Sequence, residues 1–235
     1  MQKVLIITYY WPPSGGGGVQ RWLKFAKYLR NFGWEPIIYT PDNPEGPVED
    51  PSLLKDIPEN LTVIKKPIVE PYRFYKKLTG KSKDQKIQTA FLLESASKNT
   101  FLENLSVWIR GNFFIPDARK SWIKPSVKFL SKYVTENNID IIVTTGPPHS
   151  MHMIGYHLKK KLNVSWLADF RDPWTNIDYY QQLKLGKRAD RMHHKLEQAV
   201  LTKADAVTVV SPGMIRDFKA KVERDYFFIP NGYDK

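Results

Sequence analysis

The chain predicts an α/β protein built on a doubly wound, mostly parallel sheet, and three observations predict it. Short apolar runs of strand length alternate along the chain with segments that carry apolar residues at helical spacing. Four consecutive glycines, Gly15 to Gly18, separate the first apolar run from the first helical pattern, as in the opening turn of a βαβ unit. At 235 residues and 42% hydrophobic content, the chain is long enough for one large core.

The elements follow in order. The apolar-rich segment from Lys3 to Tyr9 is the first strand. The helix after the glycines opens at Val19: Val19, Trp22, Leu23, Ala26 and Leu29 recur at helical spacing, while Arg21, Lys24, Lys27 and Arg30 take the other face. Gly33 stands where a glycine ends a helix, and Trp34 to Thr40 reads as the second strand. Further strands are predicted at Leu61 to Ile64, Asp140 to Thr145, Val164 to Phe170, Ala206 to Val210 and Tyr226 to Ile229. Helices are predicted around Lys120 to Glu136, Met151 to Leu162, Arg188 to Lys203 and Pro212 to Ala220. Strands alternating with helices give a sheet covered on both faces, here as one domain over residues 1–235 with a basic helical insertion at about 65–125. The chain stops at Ile229-Pro-Asn-Gly-Tyr-Asp-Lys235, directly after a strand, which reads as a domain boundary.

Composition narrows the classes. There is no cysteine, so neither a disulfide framework nor a thiolate metal site can form. The longest apolar stretches are strand-sized, and Trp11-Pro12-Pro13 cuts the N-terminal run too short for a signal peptide, so cytoplasmic residence is expected. The net charge is +12, and residues 65–128 hold most of the excess, with 14 basic and 5 acidic groups. Within them Pro71 to Leu78 interleaves aromatics with bases, Gly80 to Lys86 is polar, and a helical stretch runs from about Ile87 to Ile109. Three readings stand for this region: attachment to an anionic membrane surface, contact with nucleic acid, or a solvated insertion.

Familiar site motifs are excluded by spacing. A dinucleotide fingerprint started at Gly15 or Gly16 would need its third glycine at Gln20 or Arg21, and a P-loop ending at Gly80-Lys-Ser82 would need glycine at Tyr75. Adjacent His193 and His194 face apart on a helix, no carboxylate-histidine cluster has ligand spacing, and no Ser/His/Asp set has a nucleophile elbow, so no metal is expected.

In a parallel sheet, ligands gather at the carboxyl ends of strands, and four of those ends carry chemistry. The first is the glycine run, whose backbone N–H groups can approach an anion or a sugar with no Cβ in the way; the competing reading is a flexible turn. The second is Gly146-Pro-Pro-His149-Ser150. Two prolines hold the chain extended, Ser150 can cap the next helix, and His149 is placed to hydrogen-bond a sugar hydroxyl or a developing charge, against a capping or packing role. The third is Asp169-Phe-Arg171-Asp172, two carboxylates around a guanidinium, either a structural ion-pair knot or a set completed by a polar substrate. The fourth is Ser211-Pro-Gly213.

Taken together, Tyr9 to Gly18, Ile115 to Trp122, Thr145 to Ser150, Asp169 to Trp174, Val210 to Pro212 and Ile229 to Asp234 resemble the N-terminal domain of a GT-B type family 4 glycosyltransferase. The resemblance implies a Rossmann-like half-enzyme that mainly binds a glycan or lipid-linked acceptor. A C-terminal domain, missing from this chain, would grip a nucleotide sugar as cosubstrate, with transfer usually retaining and without an obligatory metal or other cofactor. The family's paired glutamates eight positions apart do not occur here, so the isolated fragment is expected to be inactive. Carried over, His149, Asp169, Arg171 and Asp172 become catalytic candidates. Gly15, Gly16, Gly17, Gly18, Ser211, Asn231 and Gly232 become substrate-binding candidates. The implied setting is polysaccharide biosynthesis in the cytoplasm, with peripheral attachment to the inner face of the membrane. The competing classes are a basic nucleic-acid-binding domain, for which no recognition motif appears, and a nucleotide-dependent epimerase or dehydrogenase.

Overall fold

The computed structural model describes residues 1–44, 48–69 and 101–232. Among these residues seven strands form one all-parallel sheet: β1 Gln2–Ile7, β2 Trp34–Pro41, β3 Thr62–Lys66, β4 Ile141–Gly146, β5 Ser165–Phe170, β6 Ala206–Val209 and β7 Phe227–Phe228. Their order is β3-β2-β1-β4-β5-β6-β7. The α-helices among the described residues are α1 Gly17–Leu29, α2 Phe101–Phe113, α3 Ile123–Glu136, α4 Ser150–Lys161, α5 Lys187–Lys203 and α6 Pro212–Lys219.

The strands are apolar throughout because both faces are covered. Successive residues of β1 alternate between two cores. Leu5 and Ile7 pack with Leu130 and Val134 of α3 and with Ile154 and Leu158 of α4. Val4 and Ile6 face the other way, onto Val19, Trp22, Leu23 and Ala26 of α1. Each such fully buried aliphatic side chain contributes about 1.5–3 kcal/mol.

Three local expectations are corrected. α1 begins two residues before Val19, so Gly17 and Gly18 belong to its first turn, where the Val19 and Gln20 N–H groups donate to the Gly16 carbonyl at 3.0 and 3.2 Å. Arg21 is not on the solvent face but buried, because the end of β5 presents a buried carboxylate within its reach. The last strand shortens to two residues because Tyr226 turns inward and donates its hydroxyl to the Phe218 and Val222 carbonyls at 3.2 and 2.8 Å.

The segments Pro71 to Leu78 and Gly80 to Lys86 and the start of the predicted helical stretch, 87–100, lie outside the described residues, as does Asp234. α2 runs to Phe113, past the expected end at Ile109. It packs through Gly111, where a Cβ would come within 2.7 Å of the Leu183 carbonyl, and Asn112 Oδ1 accepts from the Gly186 N–H at 2.7 Å. Among the described residues no helix is long and apolar enough to cross a membrane.

Candidate functional site

The winding of the sheet reverses between β1 and β4, so the loops that follow these strands part and leave a crevice beyond their carboxyl ends. One wall is the loop from Thr8 to Gly16 with the start of α1. The other is Gly146 to His149, flanked by Arg171 from the end of β5.

Each glycine of the first wall has its own reason. Gly15 packs on the chain at 48–50: its N–H donates to the Val48 carbonyl at 3.0 Å, and a Cβ would stand 3.0 Å from that of Asp50. Gly16, the residue before the helix, has φ +99°, a region that side chains rarely adopt. Gly17 opens onto space, with nothing within 4 Å of a Cβ placed there. Gly18 lies against Arg171, whose Nη1 would be 1.5 Å from a Cβ. No side chain caps this helix and its first turn has no acidic residue, so its leading N–H groups and positive dipole end are left toward the crevice.

Asp169 lies at the floor with no solvent exposure and accepts five hydrogen bonds. Arg21 donates from Nη2 at 2.8 Å and Nε at 3.3 Å, Trp22 Nε1 at 2.8 Å, Thr145 Oγ1 at 2.9 Å and Thr208 Oγ1 at 2.7 Å. Burial alone would raise this carboxyl, but the bonds and charge of Arg21, with those of Thr208 and Trp22, hold it below the usual carboxylate range. The guanidinium in direct contact with Asp169 is therefore that of Arg21 and not that of Arg171. Arg171 is joined to Asp169 only through Thr145, to whose Oγ1 its Nε donates at 3.1 Å, and its Nη2 donates to the Pro147 carbonyl.

His149 is not held on an extended approach: the Gly146-Pro147 and Pro147-Pro148 bonds are both cis, and His149 itself has near-helical angles immediately before α4. Its ring stacks on Trp174, with centroids 4.5 Å apart and planes 3° from parallel, and Trp174 Nε1 donates to His193 Nδ1 at 3.1 Å. Burial, with His152, His193 and Arg171 nearby, keeps the imidazole well below its ordinary value, hence neutral at pH 7. Ser150 does not cap the helix. Asp117 does, accepting from the Ser150 N–H at 2.7 Å and its hydroxyl at 2.8 Å.

The structure thus brings Gly15 to Gly18, His149, Asp169 and Arg171 to one crevice. Asp172 is exposed, yet the protein around it pushes its carboxyl above the ordinary range despite the opposing charge of Arg171. Ser211 caps α6, accepting from the Met214 N–H at 3.3 Å. Asn231 joins the floor instead: its Oδ1 and the Pro230 carbonyl accept from Arg21 Nη1 at 3.2 and 3.0 Å, while Gly232 touches nothing within 4 Å of a Cβ. Arg21, Asp117 and Trp174 were not singled out by sequence reasoning. Asp117 and Trp174 do sit inside the motifs Ile115 to Trp122 and Asp169 to Trp174, whereas Arg21 followed the helical charge pattern and gave no signal. Among the described residues no three His, Asp or Glu side chains converge to hold a metal.

An all-parallel sheet with helices on both faces and a crevice at its switch point, walled by a glycine-led helix start, is a Rossmann-like fold. Residues 117–232, just under half of the chain, match the model of a glycosyl transferase 4-like domain. An S. aureus MnaA–UDP co-structure shares the fold, with TM-score 0.51 and 10% identity over 96% of this chain and 42% of that one. A glycosyltransferase from Rickettsia africae ESF-5 matches with TM-score 0.45 and 16% identity, covering 97% of this chain and 42% of that one. MurG from Acinetobacter baumannii matches with TM-score 0.46 and 15% identity, covering 100% of this chain and 47% of that one. The chain therefore spans less than half the length of these three. No curated protein sequence matches it.

Proposed function

We propose that this chain is the acceptor-side half of a glycosyltransferase that moves a sugar from a nucleotide sugar to a glycan or lipid-linked acceptor. The observation that carries this reading is the convergence of the open glycine wall, Arg171 and His149 at the β1/β4 switch point of a glycosyl transferase 4-like domain. In the transfer, an acceptor hydroxyl oxygen bonds to the anomeric carbon as the bond to the nucleotide's phosphate oxygen breaks, and the hydroxyl proton is released. Negative charge grows on the departing oxygen. The uncapped start of α1 and the Arg171 guanidinium suit that charge, and neutral His149 suits a sugar oxygen. Asp169 has all its bonding committed to the floor, so its part is to hold Arg21 and Thr145 in place. A second domain would close over the crevice and exclude water, with retention of configuration and no metal. The basic excess over residues 65–128 suits an enzyme working in the cytoplasm at an anionic membrane surface in polysaccharide biosynthesis.

The test uses the full-length enzyme. A nucleotide sugar should give a saturable binding shift where NAD and oligonucleotides give none. His149→Ala should lower kcat/KM by roughly 10²-fold or more, a much larger effect than its effect on fold stability. Near-wild-type turnover with a clearly lowered midpoint would make His149 a packing residue. Turnover of a nucleotide sugar without any acceptor would favour the epimerase reading.

A further inference from the structure

A buried polar chain beneath His149 is not used by the site as described. Trp166 donates its Nε1–H to the Thr144 hydroxyl at 2.9 Å, and an indole nitrogen can only donate. The hydroxyl keeps its own proton for its other contact, His152 Nδ1 at 2.9 Å. His152 then carries its proton on Nε2, which is buried and without a bonded partner. The group it meets is His149. A Cβ at Gly146 would lie 2.6 Å from His152 Nε2 and 3.3 Å from His149 Nδ1, so both nitrogens converge on a space that only glycine leaves open. The rings are 5.9 Å apart and 28° from parallel, and His149 Nδ1 is also buried and unbonded. Two N–H groups converging in a dry space would repel, and an orphaned buried N–H is rarer and costlier than an unpaired acceptor. A lone pair on His149 Nδ1 opposite the His152 N–H is the favourable arrangement. It leaves the His149 proton on Nε2, the ring nitrogen that is not sealed.

We propose that Thr144 and His152 are positioning residues that fix His149 as its Nε2–H tautomer, so that the crevice meets a hydrogen-bond donor at this ring and not a base. The substrate class follows from the donor: an oxygen acceptor, whether a sugar hydroxyl or a developing oxyanion. That use rests on the glycosyltransferase reading, whereas the tautomer is a property of the protein itself.

The test is ring nitrogen–proton correlation spectroscopy on the 15N-labelled full-length protein at pH 7. Wild type should report His149 and His152 both protonated on Nε2. Thr144→Val, which removes the hydroxyl proton at nearly constant shape, should lower the Nε2–H to Nδ1–H ratio of His149 on the order of tenfold, the worth of one net hydrogen bond. Thr144→Ser should leave the ratio in place. His152→Phe probes the same link and should lower the ratio as Thr144→Val does. In turnover, His149→Gln, which carries an N–H near the Nε2 position, should retain more activity than His149→Asn. Protonation of wild-type His149 on Nδ1, or a ratio unmoved by both Thr144→Val and His152→Phe, overturns the proposal. A protein with the expected tautomers that transfers no sugar would sink the functional reading alone.

Discussion

Asp169→Asn tests whether the floor carboxylate is structural. The substitution keeps the shape but removes the charge opposite Arg21, and it turns one of two accepting oxygens into a donor. Whichever way the amide is turned, its NH₂ meets donors: Arg21 Nη2 and Thr208 on one side, Trp22 and Thr145 on the other. Arg21 stays buried, with the Pro230 carbonyl, Asn231 Oδ1 and the one remaining amide oxygen at 169 accepting from it and no negative charge opposite it. Removing one partner of a buried pair costs about 3–5 kcal/mol. In a domain of this size each kcal/mol moves the midpoint by about 2–4 °C, so a fall on the order of 10 °C is expected in thermal and urea unfolding. Replacing Arg21 and Asp169 together by Met and Leu should recover most of the loss, since no unpaired charge remains. A midpoint within ~2 °C of wild type for Asp169→Asn, combined with lost turnover, would refute the reasoning and make Asp169 a group that meets substrate.

Three further outcomes are expected. Thermal midpoints should separate the glycines: Gly16→Ala, at positive φ, should cost about 1–3 kcal/mol, Gly17→Ala should be neutral or stabilising, and Gly18→Ala should displace Arg171; if all three behave alike, the run is only a flexible turn. Urea unfolding from pH 7.5 to 4.5 should show stability falling below about pH 6.5, because His149 and His152, the latter pushed down to about 3, stay neutral when folded and take up protons on unfolding. Asp169 adds to this only below the unfolded carboxyl value near 3.9, its stabilisation being lost as pH falls through the lower folded value, so a flat profile down to pH 4.5 would contradict the burial of both imidazoles. Co-sedimentation with phosphatidylglycerol vesicles should weaken as salt rises, and equal binding to neutral vesicles, or none to either, would remove the membrane from the reading.

The sheet was legible because period-2 and period-3.6 patterns report burial directly, and every strand from β1 to β6 lies within a residue or two of its apolar run. Strand ends were legible as the place where the candidate residues gather, for the same topological reason. The partners inside the site were not. Arg21 obeys a helical charge pattern and breaks it only because Asp169 lies beneath it, 148 residues away in sequence. Ser150 had the right chemistry for a cap, yet Asp117, 33 residues upstream, delivers a full carboxylate to the same N–H. Side-chain pairing across such separations leaves no periodic trace in one sequence, whereas a glycine run or a proline pair announces its backbone locally.

One guanidinium ties the start of α1 to the carboxyl end of the sheet and to the chain beyond β7. Arg21 stands in the second turn of α1, four residues past Gly17, the open position in the glycine wall. Through Asp169 it is bonded to the end of β5, through Asp169 and Thr145 to the anchor of Arg171, and through Pro230 and Asn231 to the chain beyond β7. A surface arginine could not do this, because an exposed pair is worth little and is readily exchanged for water. Buried, the same contacts leave Arg21 no cheap alternative, so glycine wall, Arg171 and the segment at 230–231 are held in one fixed relation. A site that must present N–H groups and a guanidinium to developing charge gains from that rigidity, since dipoles already in place need not reorganise when the charge appears. In the proposed reaction the floor therefore acts through the geometry of the groups it holds in place.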